Sequence, residues 1–150
     1  MKNKDIRLYN ILFPIWMILL IPTAWLVILP GNFIVDSIVL LLAMRGMKIP
    51  YKKKMYGHTI FKVWIFGFIA DIIGALVILG AMTLFELNIQ GDELYLTLPA
   101  TLIAALFIFI FNYKISFKDY DKKIKIKMAL IFAIFTAPYT FLIPLSWIYF

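Results

Sequence analysis

TIFKVWIFGFIADIIGALVILGAMTLF, residues 59–85, decides the fold class. Its only charges are Lys62 and Asp71. An apolar run this long and continuous reads as a membrane-spanning helix. A membrane barrel would show weakly alternating segments of about ten residues instead. Working outward from this run, comparable stretches predict helices over about 8–29, 33–47, 94–113 and 128–150. The expectation is one all-α, polytopic transmembrane domain over 1–150, a bundle of about five helices.

Composition agrees. Hydrophobic residues make up 64% of the chain, against roughly 45–50% in soluble domains. Charged residues make up 15%, against roughly 25%. The mean hydropathy is +0.95. A soluble fold of 150 residues could not keep that much apolar surface from water, which excludes an ordinary cytosolic enzyme. There is no cysteine, hence no disulfide, thiolate metal site or thiol nucleophile. The single histidine, His58, sits in a basic loop without an acidic partner. Neither an HExxH nor a GxSxG motif is present, and no glycine-rich phosphate loop. The expectation is a protein that is not an enzyme, with no cofactor and no assigned metal.

Charge fixes the topology. The fifteen Lys and Arg residues fall into three clusters: Lys2, Lys4 and Arg7; six from Arg45 to Lys62; and six from Lys114 to Lys127. The first apolar run follows the first cluster but is too long for a signal core and lacks a small-residue cleavage site, so it reads as an uncleaved span, kinked by Pro14 and Pro22. Pro30-Gly31-Asn32 signals a turn. The run after it, 33–47, is short enough to be either a full span or a re-entrant hairpin. If all five segments cross, every basic residue lies on the side of the N-terminus, while the loop with Glu86, Asp92 and Glu93 is purely acidic. The positive-inside rule then makes the N-terminus cytoplasmic, in a multi-pass protein of a bacterial inner membrane.

Asp36 and Asp71 are the ionisable residues predicted within hydrocarbon, where each costs about 2.5–3.5 kcal/mol when central. With Ser37 they form the intramembrane polar set. Asp36 is expected in the outer third and Asp71 nearer the midplane. One reading makes them the site of a small cation- or proton-coupled transporter or channel, with both as candidate metal ligands. The plainer reading gives them structural hydrogen bonds, for Asp71 with Thr23, Thr101 or Tyr139. Gly67, Ala70, Gly74, Ala75 and Ala81 recur at helical spacing around Asp71 and predict close helix packing, within the chain or across a dimer.

The two basic loops carry the other candidate chemistry. The first brings Arg45, Lys48, Tyr51, Lys52, Lys53, Lys54 and Tyr56; the second brings Lys114, Lys118, Tyr120, Lys122, Lys123, Lys125 and Lys127. Positive charge interleaved with aromatic rings suits phosphate contact with stacking on unpaired bases. It equally suits anionic lipid headgroups, at about 1 kcal/mol per basic residue near the surface. Topology alone asks for some of these lysines.

Small size, several spans, Lys/Tyr-rich loops and Asp36-Ser37 in the second predicted helix together resemble, in overall character, the bacterial membrane protein that associates with OLE (ornate, large, extremophilic) RNA. The resemblance implies a structured RNA anchored at the membrane by a protein homodimer, with membrane lipids as the remaining partner.

Overall fold

The computed structural model describes residues 19–50, 52–86 and 94–143. Of the helix predicted over 8–29, residues 8–18 with Pro14 lie outside the described residues, as do Lys2, Lys4, Arg7, Tyr51, Asp92, Glu93 and 144–150. Those described are helical, without a strand. Four helices carry the fold: α1 (Trp25–Gly46), α2 (Lys53–Leu84), α3 (Leu94–Phe111) and α4 (Lys122–Phe135). A 3-10 turn, Pro22–Ala24, leads into α1, a π-helical turn, Asn112–Ser116, extends α3, and a second 3-10 turn, Tyr139–Leu142, follows α4. With these extensions all four are long and apolar enough to cross a membrane.

The first departure from the sequence reading is at Pro30-Gly31-Asn32, which is no turn: α1 runs through it without a break. The prolyl nitrogen gives up one helical hydrogen bond. In hydrocarbon, however, a turn would strand several backbone groups at several kcal/mol each, so continuing the helix is the smaller loss. Residues 33–47 are therefore the later part of one long helix and not a separate short or re-entrant element. The indole N–H of Trp64 donates to the Leu29 carbonyl beside Pro30 at 2.7 Å and ties α1 to α2.

Further along, α1 closes in a Schellman arrangement. The Ile49 N–H reaches the Met44 carbonyl at 2.9 Å and the Lys48 N–H reaches Arg45 at 3.1 Å. Lys48 takes the left-handed conformation, φ 55°, that such a cap needs. The chain reverses there and re-enters helix at Lys53, six residues earlier than the apolar run begins. Likewise α4 starts at Lys122 and stops at Phe135, ahead of Pro138, instead of running unbroken through 128–150. Its first turns hold four lysines that no hydropathy window would include.

α2 is the central helix. It packs most extensively on α3, with α1 also against it, and α4 fills the space between α3 and α1. Small residues set the α2–α3 distance. A Cβ on Gly74 would stand 3.0 Å from the Ala104 Cβ and 3.3 Å from the Ala100 carbonyl oxygen, with Phe141 equally close on another side. The predicted small-residue face is thus used inside the chain. Gly74→Ala is expected to destabilise by about 1–3 kcal/mol through overpacking. Gly80→Ala, with nothing within 4 Å, should be neutral or gain up to about 1 kcal/mol of helix propensity. Thermal unfolding of the two variants in one detergent checks the contrast, and equal melting would refute it.

The apolar core is in two parts along the bundle. One cluster holds Leu40, Met44, Ile60, Val63, Ile108, Phe117, Met128 and Phe132; the other holds Leu19, Phe68, Ala75, Ile78, Ala100 and Phe141. The outward faces are equally apolar: Leu26 is 80% exposed and Leu84 81%. Helices apolar on every side suit a lipid surround.

Candidate polyanion face and buried carboxylate pair

Residues flanking both basic loops belong to the first core cluster. Met47, Ile49, Met55 and Tyr56 from one side and Tyr113, Tyr120 and Ile124 from the other pack against it. The α1–α2 and α3–α4 connections therefore emerge at the same end of the bundle. That end carries twelve basic side chains, with Asp119 and Asp121 as the acidic ones in the second loop.

Arg45, Lys48, Lys52, Lys53, Lys54, Lys114, Lys118, Lys122, Lys123 and Lys127 are exposed. Lys62 and Lys125 are half-buried. The Lys125 ammonium lies 4.4 Å from the centre of the Tyr113 ring, a cation–π contact. An open cleft of about 830 Å³ is lined by Lys52, Lys53, Lys54, His58 and Phe61.

The aromatic companions behave differently from the lysines. Tyr120 meets Phe117 edge-on at 6.0 Å, and its hydroxyl is buried. Tyr56 is half-buried against the same core, and Tyr113 stacks on Phe109 at 5.9 Å. These rings brace the loops from beneath, while the lysines form the outer surface.

Asp36 and Asp71 come together. Asp36 is the twelfth residue of α1 and Asp71 the nineteenth of α2; they are 5% and 8% exposed. Because α1 begins before Pro30, Asp36 lies mid-helix and not near an outer interface. Its Oδ2 stands 3.7 Å from where a Cβ on Gly67 would be, and Gly67 is one turn of α2 from Asp71. The two carboxyl groups are within electrostatic reach of each other. The Asp36 carboxyl thus lies about one turn of α2 from the Asp71 backbone, toward the basic end.

The structural hydrogen bonds expected for Asp71 are otherwise engaged. The Thr101 hydroxyl donates to the Thr97 carbonyl at 2.8 Å, and Tyr139 donates to the Ile134 carbonyl. Thr23 is exposed. Asp71 Oδ1 is buried with no partner among the described residues, as is Ser37 Oγ.

Two further groups were not singled out by the sequence: Asn112, whose two side-chain polar atoms are buried and unpartnered, and Ser116 Oγ; the hydroxyl of Tyr120, expected on the outer face, is buried with them. Their four-residue spacing is legible, but only the π-helical turn puts Asn112 and Ser116 fully inside. Among the described residues no group of three or more His, Cys, Asp or Glu could hold a metal ion. No family model, curated protein or solved structure matches the chain.

Proposed function

We propose that this chain is a small multi-pass membrane protein whose basic end captures a polyanion at the membrane surface, with a structured RNA as the ligand the chemistry fits best. One observation carries the reading: ten exposed Lys and Arg residues from two separate connections share one end of an apolar helical bundle. The opposite end offers Glu86 and no basic residue between 63 and 113. Between residues 19 and 143 every basic residue lies toward that end, and the positive-inside rule assigns it to the cytoplasm. A bacterial inner membrane and a homodimer are the setting in which we read it.

The inward-turned Tyr56 and Tyr120 shift the mechanism away from stacking. Phosphate contact by lysine supplies the affinity, and the bundle anchors the ligand in the plane of the membrane. Such contacts carry little sequence information by themselves, so selectivity would come from the shape of the RNA.

The test is ultraviolet crosslinking in cells, followed by stringent purification and sequencing of attached RNA, for wild type and for the combined Lys52→Gln, Lys53→Gln, Lys54→Gln variant. At about 1 kcal/mol for each surface lysine, the variant should lose roughly a hundredfold in affinity. One dominant RNA that disappears in the variant is the expected result. Equal recovery of RNA from both proteins would overturn the reading. No RNA from either, with retention of anionic lipid by the wild type alone, would reassign the face to lipid headgroups.

A further inference from the structure

The two buried carboxyl groups have no role in polyanion capture, and they lie where an uncompensated charge is most costly. On α1 Arg45 is nine residues from Asp36, roughly 13–14 Å by helical rise. On α2 Lys62, half-buried, is nine residues from Asp71 and five from Gly67, where the Asp36 carboxyl sits, roughly 7–8 Å by helical rise. Beyond Lys62, α2 continues back to His58 at the basic end. α3 has no charged residue before Lys114, and α4 with its following turn has none after Lys127 as far as 143. Among the described residues no basic group on these helices lies beside the pair, and Asp71 Oδ1 is left without a partner. Among the described residues no group of three or more His, Cys, Asp or Glu stands there to hold a metal ion. A proton needs only the two carboxyl oxygens.

The route to the pair is the second observation. The Phe66–Phe111 ring contact, at 5.4 Å, fixes the register of α2 against α3. That register sets Asn112 at about the level of Gly67 along the bundle. Asn112 is fully buried with its amide nitrogen and oxygen both unpartnered. Ser116 follows one turn toward the basic end, and then Tyr120, each with a buried, unpartnered hydroxyl. Buried polar groups in proteins are almost always satisfied, by ordered water where no side chain serves. Three such groups in a row, in an otherwise apolar cluster, describe a wettable track. Its inner end, Asn112, is at the level of the carboxyl pair, and Tyr120 lies at the basic end.

We propose that Asp36 and Asp71 together bind one exchangeable proton, which enters from the basic end through waters held by Tyr120, Ser116 and Asn112. In each hop one O–H bond breaks as the next forms. The net change is one proton moved from bulk water to a carboxylate oxygen, with no other reactant. The site does not depend on the lysines, so it stands or falls separately from polyanion capture.

Infrared spectroscopy of the purified chain in lipid nanodiscs tests it. At neutral pH the wild type should show a protonated-carboxyl stretch that Asp71→Asn or Asp36→Asn removes or displaces. On transfer to heavy water the band should shift, and Asn112→Leu should slow that shift by about tenfold or more, equivalent to about 1.4 kcal/mol of barrier. The Lys52–Lys54 glutamine variant should keep both band and rate. Should the aspartate variants fail to fold, Gly67→Ala serves, since its methyl group fits at 3.7 Å from Asp36 Oδ2 and should displace the band without deleting it. Absence of a protonated-carboxyl band overturns the site, and so does its loss on adding sodium, which would mark an alkali-cation site. Unchanged exchange in both Asn112→Leu and Ser116→Ala overturns the track.

Discussion

Affinity of the nanodisc-embedded protein for structured RNA is expected to fall about a thousandfold between roughly 50 and 200 mM salt, if six of the exposed lysines meet phosphates. The reason is counterion release. Each phosphate neutralised by a lysine frees a condensed cation, and added salt opposes that gain in proportion to the number of contacts. Ten exposed basic groups at one end of the bundle make six simultaneous contacts sterically reasonable. The slope of log affinity against log salt counts them, and the triple glutamine variant should reduce it by about three contacts. Fluorescence anisotropy with neutral-lipid nanodiscs separates this from headgroup competition. A salt-independent affinity would mean that stacking or shape, and not lysine, holds the ligand.

Phe117→Ala should be the most damaging single truncation, at about 3–5 kcal/mol. Phe117 has no exposed surface. It sits under the α3–α4 connection with its ring 5.7 Å from Phe132 and 6.0 Å from Tyr120. In lipid, helices gain little from leaving water, so stability rests heavily on close packing, and an emptied ring volume at this junction has nothing to fill it. The same ring seats the loop that bears Lys118, Lys122 and Lys123, so the truncation should also blur the basic surface. Phe117→Leu, which keeps most of the volume, should cost under about 1.5 kcal/mol. Melting curves in a single detergent distinguish them, and coincident curves would show that the site is not tightly packed.

What could be read from the residues, and what could not, follows from the solvent. Hydropathy identifies 59–85 and 94–113 because a long apolar run has one outcome in a bilayer. The failure at Pro30-Gly31-Asn32 has the same origin. Those residues mark turns where water can satisfy a freed backbone, and within hydrocarbon that option is gone. The amphipathic opening of α2 and the lysine-rich opening of α4 were invisible for the opposite reason, since they are helical outside the apolar windows. Asp36 and Asp71 stand out in the sequence by charge alone, but their meeting across Gly67 depends on α1 being continuous. Tyr56 and Tyr120 read as stacking groups because composition cannot tell a ring that faces outward from one that supports a loop. Asn112 and Ser116 carried no signal of burial, being polar residues at the edge of an apolar run.

The π-helical turn closes on the Phe117 N–H bonded to the Asn112 carbonyl at 2.9 Å. A turn closed five residues back, and not four, is equivalent to one residue inserted into a regular helix. Each residue of an α-helix advances the side-chain direction by about 100°, so this single extra residue re-phases everything that follows. Phe117 points into the core because of it. Deleting one residue between 112 and 116 would act less as a shortening than as a frameshift in direction, swinging Phe117 outward and carrying the second lysine cluster around the bundle with it. An alignment of relatives that lack the turn should open a one-residue gap there, inside what otherwise looks like uninterrupted helix.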